Sequence, residues 1–115
     1  MSELARIEAR DLDDARVVRV TGEIDLSNAR DLMDAIGGAV PHDAHLVVVD
    51  LSDTTYLDSA GIAMIFRLAQ RLRYTRRELR LVVPADAPIR AVLGLTNVPQ
   101  VIPVLDAINE IPDLA

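Results

Sequence analysis

The chain of 115 residues contains no cysteine and no lysine, and each absence removes a class of chemistry. Without cysteine, the protein has no disulfide framework, thiol nucleophile or iron–sulfur site, and it lacks the usual cysteine ligands of structural zinc. Without lysine, it has neither the lysine of a phosphate-binding P-loop nor a Schiff-base lysine. The sequence therefore argues against most nucleotide-hydrolysing and covalent enzymes.

Aromatic residues are also scarce, at 3% of the chain, although half of all residues are apolar. The core must therefore be built from valine, leucine, isoleucine and alanine, a composition that suits helices layered on a β-sheet. A chain of this length buries about two thirds of the surface that its unfolded form exposes, so it can fold without disulfides or structural metal ions. We expect residues 1–115 to form a single α/β domain.

Positive charge is limited to twelve arginines, and the formal net charge is −6. Such a protein is a poor ligand for nucleic acid, because binding to phosphate backbones depends on counterion release at basic surfaces. No apolar run approaches the length of a membrane span, and the first ten residues lack the apolar segment of a signal peptide. We therefore expect a cytoplasmic domain that binds neither nucleic acid nor membrane and whose partners are other proteins.

The pattern of apolar residues predicts the element order ββαβαβαβ(α). The first two strands alternate and are predicted to form an edge hairpin, whereas the third is apolar throughout, as in a central strand. Gly22 is predicted to end the second strand, and Gly37 with Gly38 the first helix. The predicted strands are residues 4–10, 16–21, 46–49, 79–83 and 101–104, and Pro103 marks the last of them as an edge strand. The first helix is predicted from the N-cap Ser27 to residue 36. Two further helices are predicted at 59–74 and 87–93, with a final helical turn at 106–110.

Strands joined through helices run parallel with right-handed crossovers, so we expect a mixed, mostly parallel, five-stranded sheet packed with helices. The loops at residues 22–25, 50–59 and 84–86 each follow the C-terminal end of a predicted strand. They should share one rim of the sheet, where α/β folds place their sites. Asp25 and Ser59 are therefore predicted to be neighbours although they are far apart in sequence.

The two histidines, His42 and His45, precede the central strand and are predicted at the rim opposite Ser59. A hydrolase triad needs a histidine next to its nucleophile, and a metal site needs a third ligand, so we interpret this pair as part of a solvated loop. Asp50 ends a strand, as a phosphoryl-accepting aspartate does, but no lysine and no acidic pair accompany it. The sequence thus predicts no enzyme, no metal site and no cofactor.

Ser59 stands where the second long helix begins, after Asp58 and before the small residues Ala60 and Gly61. One interpretation is that its hydroxyl caps the helix. The other is that Ser59 accepts a phosphate, which free N–H groups and the positive end of the helix dipole would accommodate. In that case phosphorylation would act at an interface and not on folding, because a buried unpaired charge would expel a partner.

Six arginines surround the C-terminal end of the same helix. They are Arg67, Arg71, Arg73, Arg76, Arg77 and Arg80. Basic residues in this position commonly complement the helix dipole, which is the interpretation we favour. As an alternative, Arg67 and Arg71 face an acidic partner.

The segment DLSDTTYLDSAGI of residues 50–62 and the preceding TGEID of residues 21–25 resemble motifs of the STAS domain of bacterial anti-sigma factor antagonists. The resemblance covers nearly the whole chain, with both motifs in the expected order. It implies a STAS-like fold and a protein that is a substrate of its kinase and not itself an enzyme.

In that family, an unphosphorylated antagonist captures an anti-sigma factor that is also a serine kinase, and so frees a sigma factor in signalling such as stress responses or sporulation. The kinase phosphorylates the antagonist at the serine after the motif aspartate, and a metal-dependent PP2C-type phosphatase reverses this. The resemblance implies that Ser59 is the phosphoacceptor and that Asp25 is the acidic residue beside it. It further implies a partner-binding surface of Asp25, Asp58, Ser59, Ala60, Gly61, Ile62, Ala63, Met64 and Arg67, in which Gly61 permits close approach.

Two residues depart from the family pattern. Ala60 stands where members often have a second serine or threonine, and Ala63 stands where many have glycine. The alanine at position 60 leaves one hydroxyl in the motif. The alanine at position 63 affects which partner is bound more than it affects the fold. Two other functions stay open here. One is a STAS accessory subunit of a transporter or signalling assembly, with Ser59 only capping the helix, and the other is a small nucleotide-binding or phosphoryl-carrying enzyme, for which the chain has few suitable groups.

Overall fold

The computed structural model describes residues 4–110. The strands are β1 (Ala5–Leu12), β2 (Ala15–Ile24), β3 (Leu46–Asp50), β4 (Thr54–Leu57), β5 (Glu78–Val82) and β6 (Val104–Leu105). The helices are α1 (Ala29–Ala39), α2 (Ser59–Tyr74), α3 (Arg90–Gly94) and α4 (Val98–Val101), followed by a 3-10 turn at Ile108–Glu110. The longest of these helices is α2, with 16 residues, and no helix within residues 4–110 is long and apolar enough to cross a membrane.

The strands form one sheet in the order β1-β2-β3-β5-β6, and β4 pairs with β2 beyond the end of β3. Among the described strands only β1 and β2 pair antiparallel, so the expected mixed, mostly parallel α/β sheet is confirmed. The predicted number of five strands is wrong, because residues 54–57 of the expected connection form a sixth. Their sequence, Thr-Thr-Tyr-Leu, suits a strand, but four residues are too few to give a periodic signal.

The second strand does not end at Gly22 as predicted but continues to Ile24. The pairing register with β4 shifts between Gly22 and Glu23, and Gly22 has a φ of 113°, so the strand bends there without stopping. A Cβ at Gly22 would lie 2.1 Å from the carbonyl oxygen of Leu4. The glycine therefore permits a close approach of two chain segments, which a sequence pattern cannot distinguish from a strand end.

The ends of the first helix also differ from the prediction. Asn28 and not Ser27 is the N-cap residue of α1, since the N–H and hydroxyl of Ser27 both donate to the Asp25 carboxylate. The helix then continues through Gly37 and Gly38 to Ala39. Glycine weakens a helix without removing its backbone hydrogen bonds, so two glycines lower helix stability but do not force an end.

The C-terminal elements are shorter than predicted. Within the predicted strand 101–104, only Val104 pairs with β5, because Val101 still belongs to α4 and Pro103 has no N–H to donate. The edge position of this strand is confirmed. The predicted helix 87–93 begins later, at Arg90, and the predicted final helical turn is the 3-10 turn.

The core lies on both faces of the sheet. Val47 and Val49 of β3 pack in the larger cluster, which includes the inner faces of α1 and α2, while Leu46 and Val48 pack in a smaller cluster on the opposite face. Leu105 and Ile108 partly cover that second face. The unbroken apolar run of β3 is thus explained, and its prediction as a central strand is confirmed.

Gly22 supplies a test of this architecture. Changing Gly22→Ala should destabilise the protein by roughly 2 to 4 kcal/mol, since the left-handed backbone and the contact with the Leu4 carbonyl each carry a cost. The matched control is Gly38→Ala in α1, where a methyl group meets no atom within 4 Å and should stabilise the protein by about 0.5 to 1 kcal/mol. Urea unfolding measures both; equal effects at the two glycines would contradict the assigned geometry.

Candidate partner-binding site at the start of the second helix

The pairing of β2 with β4 brings the Asp25 loop beside the start of α2. Ile24 lies opposite Leu57 in the parallel register, and the Asp58 N–H donates to the Ile24 carbonyl at 3.3 Å. The residues that follow, Asp25 and Ser59, therefore leave the sheet at adjacent strand ends. The prediction that the two segments are neighbours is confirmed, and the unforeseen strand β4 is what joins them.

The third loop of the predicted rim, residues 84–86, lies farther away. It follows β5, which pairs with β3, and β3 ends at Asp50 opposite Arg19. Arg19 precedes Ile24 by five positions on β2, or about 17 Å at about 3.3 Å per strand residue. All three loops therefore leave the same edge of the sheet, as expected, but β2 and β4 extend past the ends of β3 and β5, so residues 84–86 are set back from the start of α2.

Asp58 caps α2, and Ser59 is the first residue of the helix with an exposed side chain. One oxygen of the Asp58 carboxylate accepts hydrogen bonds from the N–H groups of Ala60 at 2.9 Å and Gly61 at 3.1 Å. The interpretation of Ser59 as the helix cap is therefore wrong, since the preceding residue holds that position. Within residues 4–110 the Ser59 hydroxyl has no hydrogen-bond partner, so it is available to solvent.

The same cap corrects the expectation that free N–H groups would receive a phosphate on Ser59. The carboxylate of Asp58 already accepts from the N–H groups of Ala60 and Gly61, which are two of the donors of the first helical turn, so few donors remain there. A phosphate would instead lie beside a carboxylate and point into water. The favourable helix dipole remains, because it belongs to the whole helix and not to two donors.

The Asp25 carboxylate is also held by its own loop. It accepts from the Ser27 N–H at 2.8 Å and from the Ser27 hydroxyl at 2.5 Å, and the Asn28 side chain binds the Asp25 N–H at 2.9 Å. The hydrogen bond from the Ser27 hydroxyl is the main cause that lowers the pKa of Asp25, and it outweighs the opposing effect of desolvation. Asp25 therefore carries a fixed negative charge at neutral pH.

Gly61 faces the inside of the protein. A Cβ there would lie 2.3 Å from a Leu57 methyl carbon and 3.0 Å from an Ile24 methyl carbon, so this glycine lets α2 pack against the ends of β4 and β2. Met64 is likewise buried, and Ile62 packs partly against the core. Of the predicted partner-binding residues these three contribute least exposed surface, and the close approach at Gly61 is internal.

A groove of about 1130 Å³ runs between α1 and α2 and begins at the Ser59 end. Four predicted partner-binding residues line it, namely Ala60, Ala63, Met64 and Arg67. The sequence analysis missed Leu26, which is 82% exposed beside Asp25, and Tyr74, which is 90% exposed at the far end of the groove. An exposed leucine between polar residues of a short loop is the one signal that would have identified this rim.

The two histidines lie where they were predicted. His42 and His45 are exposed in the segment before β3, at the opposite end of that strand from Asp50. Arg67 and Arg71 line the groove between the helices, which is the position that the alternative of an acidic partner requires. Within residues 4–110, no group of three or more acidic or histidine side chains is arranged to hold a metal ion.

Substitutions at the helix start separate the cap from its neighbour. Asp58→Ala should lower the free energy of unfolding by about 0.5 to 2 kcal/mol, because two N–H groups lose their acceptor. Ser59→Ala, one position later, should change it by less than about 0.5 kcal/mol, since the exposed hydroxyl binds nothing in the fold. Denaturant unfolding of both variants is the measurement, and a larger loss for Ser59→Ala than for Asp58→Ala would reverse the assignment.

Comparisons with known proteins agree with this architecture. Residues 6–111 match the family model of the STAS domain. An anti-sigma factor antagonist from Mycobacterium paratuberculosis superposes with a TM-score of 0.81 at 27% identity, over 92% of this chain and 89% of that chain. The anti-sigma factor antagonist SpoIIAA superposes in its unphosphorylated form with a TM-score of 0.71 at 17% identity, over 91% and 90% of the two chains. Its phosphorylated form from Bacillus superposes at 0.64 with 18% identity, over 91% and 94%. Since the family model matches nearly the whole chain, this protein belongs to the STAS domain family.

Proposed function

We propose that this protein is an anti-sigma factor antagonist that is switched by phosphorylation of Ser59. Its unphosphorylated form binds an anti-sigma factor that is also a serine kinase, and so frees a sigma factor. Phosphate on Ser59 blocks that binding, and a PP2C-type phosphatase restores it. The observation that carries the proposal is the exposed Ser59 hydroxyl, next to a carboxylate that already caps the helix.

The names of the structural neighbours support the general role. The Mycobacterium paratuberculosis protein and SpoIIAA are both anti-sigma factor antagonists, and the structure of SpoIIAA is known in unphosphorylated and phosphorylated forms. The shared fold supports transfer of the role to this chain, and the Asp58–Ser59 pair at the start of α2 supports Ser59 as the acceptor.

The surface around Ser59 suits a protein partner. The groove between α1 and α2 starts at Ala60 and contains exposed apolar side chains, such as Leu26 at its rim. A partner that covers the groove would therefore also cover Ser59. A groove that combines exposed apolar side chains with polar residues at its rim suits a protein partner.

The electrostatics of the helix start explain why one phosphate would release the partner. One oxygen of each local carboxylate already accepts two hydrogen bonds within the fold, from Ser27 to Asp25 and from two backbone N–H groups to Asp58, so a partner that covers them has fewer donors to supply. Because the N–H groups of Ala60 and Gly61 are occupied, a phosphate on Ser59 depends mainly on water for its hydrogen bonds. A partner would have to remove that water, leaving about −1.5 to −2 charges poorly solvated.

Phosphate transfer to Ser59 can be tested with purified proteins. Incubation with the cognate anti-sigma factor kinase and ATP should place one phosphate on the wild-type protein and none on Ser59→Ala, as measured by mass spectrometry of peptides. Ser52→Ala is the matched control, because the Ser52 hydroxyl donates to Asp50 and takes no part in the proposed partner surface, and this variant should still receive one phosphate on Ser59. Phosphate on Ser59→Ala to the wild-type extent would refute the assignment.

Binding to the same anti-sigma factor tests the charge mechanism. Ser59→Ala should bind like the unphosphorylated protein, whereas the phosphorylated protein should bind at least about 30-fold more weakly, as expected for a buried unpaired charge. Ser59→Asp should show a smaller loss. Gln100→Glu adds the same charge as Ser59→Asp on an exposed face of α4 and should leave the dissociation constant unchanged. Equal affinities for all of these proteins would contradict the mechanism.

A further inference from the structure

A second surface lies at the opposite end of α2 from Ser59. The helix has 16 residues, so its ends are about 24 Å apart. Beyond its C-terminal end, a cleft of about 650 Å³ lies between α2, the start of β5 and the turn before β6. Four of the six clustered arginines line this cleft with His45. The cleft has the size of a small-molecule site.

Positive charge dominates the cleft although the whole chain is negative. The lining includes four arginines, Arg73, Arg76, Arg77 and Arg80, and the only acidic residue among its described residues is Glu78. Arg80 donates to Glu78 at 2.6 Å, so that carboxylate is already engaged. Arg77 is held in place by donation to the Thr75 hydroxyl at 3.0 Å and to the Pro41 carbonyl at 3.1 Å. This leaves a fixed excess of positive charge.

Arg76 occupies a backbone position at which glycine is usual. Its φ is 60°, and the N–H groups of Arg76 and Arg77 donate to the carbonyls of Arg73 and Leu72, as in the glycine-terminated ends of many helices. A side chain with a Cβ is disfavoured in this left-handed conformation. The chain nevertheless places an arginine here, in the lining of the cleft, and its side chain makes no hydrogen bond or ion pair within residues 4–110.

A backbone donor also faces the cleft. The N–H groups of Leu81 and Val83 donate to residues 103 and 105, on the side of β6, whereas the Glu78 N–H donates to the opposite side. Because donors alternate along a strand, the Leu79 N–H points to the side of β6 as well. Pairing between β5 and β6 begins only at Leu81, so no described backbone carbonyl accepts a hydrogen bond from the Leu79 N–H. Leu79 itself lines the cleft.

From these observations we propose that the cleft binds a small organic anion with two or more negatively charged oxygens, such as a phosphate ester or a polycarboxylate. Arg73 and Arg76 bind its oxygens, Arg77 and the Leu79 N–H fix its orientation, and the exposed apolar side chain of Val101 contacts its carbon skeleton. Guanidinium groups suit this ligand because their N–H donors match the spacing of paired anionic oxygens. The site is independent of the proposed switch at Ser59.

Titration with pyrophosphate and, separately, with citrate tests this site and distinguishes a phosphate from a carboxylate preference. Backbone and arginine side-chain NMR signals of His45, residues 73–80 and Ile102 should shift, and those around Ser59 should not. Arg76→Gly should weaken binding about tenfold while leaving the melting temperature unchanged or higher, since glycine suits the left-handed position. Arg73→Gln should weaken binding to a similar extent.

The matched control is Arg10→Gln, which removes one exposed positive charge from β1, away from the cleft. It should leave both affinities within about twofold of the wild type, because screened long-range charge contributes little. The proposal would be overturned if neither anion shifted these signals. It would also be overturned if Arg10→Gln and Arg76→Gly weakened anion binding equally. Loss of phosphate transfer to Ser59 would leave these results unaffected, so the two proposals fail separately.

Discussion

The pairing of β4 with the outer end of β2 is the interaction on which the candidate site depends. β3 pairs with β2 only as far as Arg19, and β4 then takes the same side of β2 from Gly22 to Ile24. The buried Thr54 hydroxyl donates to the Val20 carbonyl at 2.9 Å, and the Gly22 N–H donates to the Asp53 carbonyl at 3.1 Å. Hydrogen bonds therefore fix the point at which β4 replaces β3 as the neighbour of β2. It sets the start of α2 beside the Asp25 loop, beyond the rest of the sheet.

That position gives the helix start its electrostatic character. The Asp58 carboxylate precedes an exposed hydroxyl, the Asp25 loop lies beside that helix start, and one oxygen of each carboxylate accepts two hydrogen bonds from its own segment. Carboxylates that already accept hydrogen bonds within the fold cost less to cover with another protein than an additional anion whose hydrogen bonds come mainly from water. The physical basis of the proposed switch is therefore the occupation of nearby donors by Asp25 and Asp58, and not a vacant anion site at the helix start.

The sequence predicted the elements whose signal is long or periodic. The apolar run of β3 and the helical spacing of residues 59–74 gave the correct type and the correct neighbours, and motif residues identified the family. It failed where the signal was short or had two physical meanings. β4 has four residues, Gly22 marks a close approach and not an end, and Asp58 and Ser59 are both good caps, a choice that only the backbone geometry decides. The groove beside α2 was missed because it depends on how α1 and α2 pack together, which neither helix encodes alone.

The central claim is that phosphate on Ser59 acts on the interface and not on the fold. The most direct measurement is the free energy of unfolding of the isolated protein, with and without phosphoserine at position 59, by urea denaturation at low ionic strength. We expect a difference of no more than about 1 kcal/mol, because an exposed phosphate beside Asp58 interacts through water. A loss of several kcal/mol would contradict it, since the phosphate would then act by unfolding the start of α2.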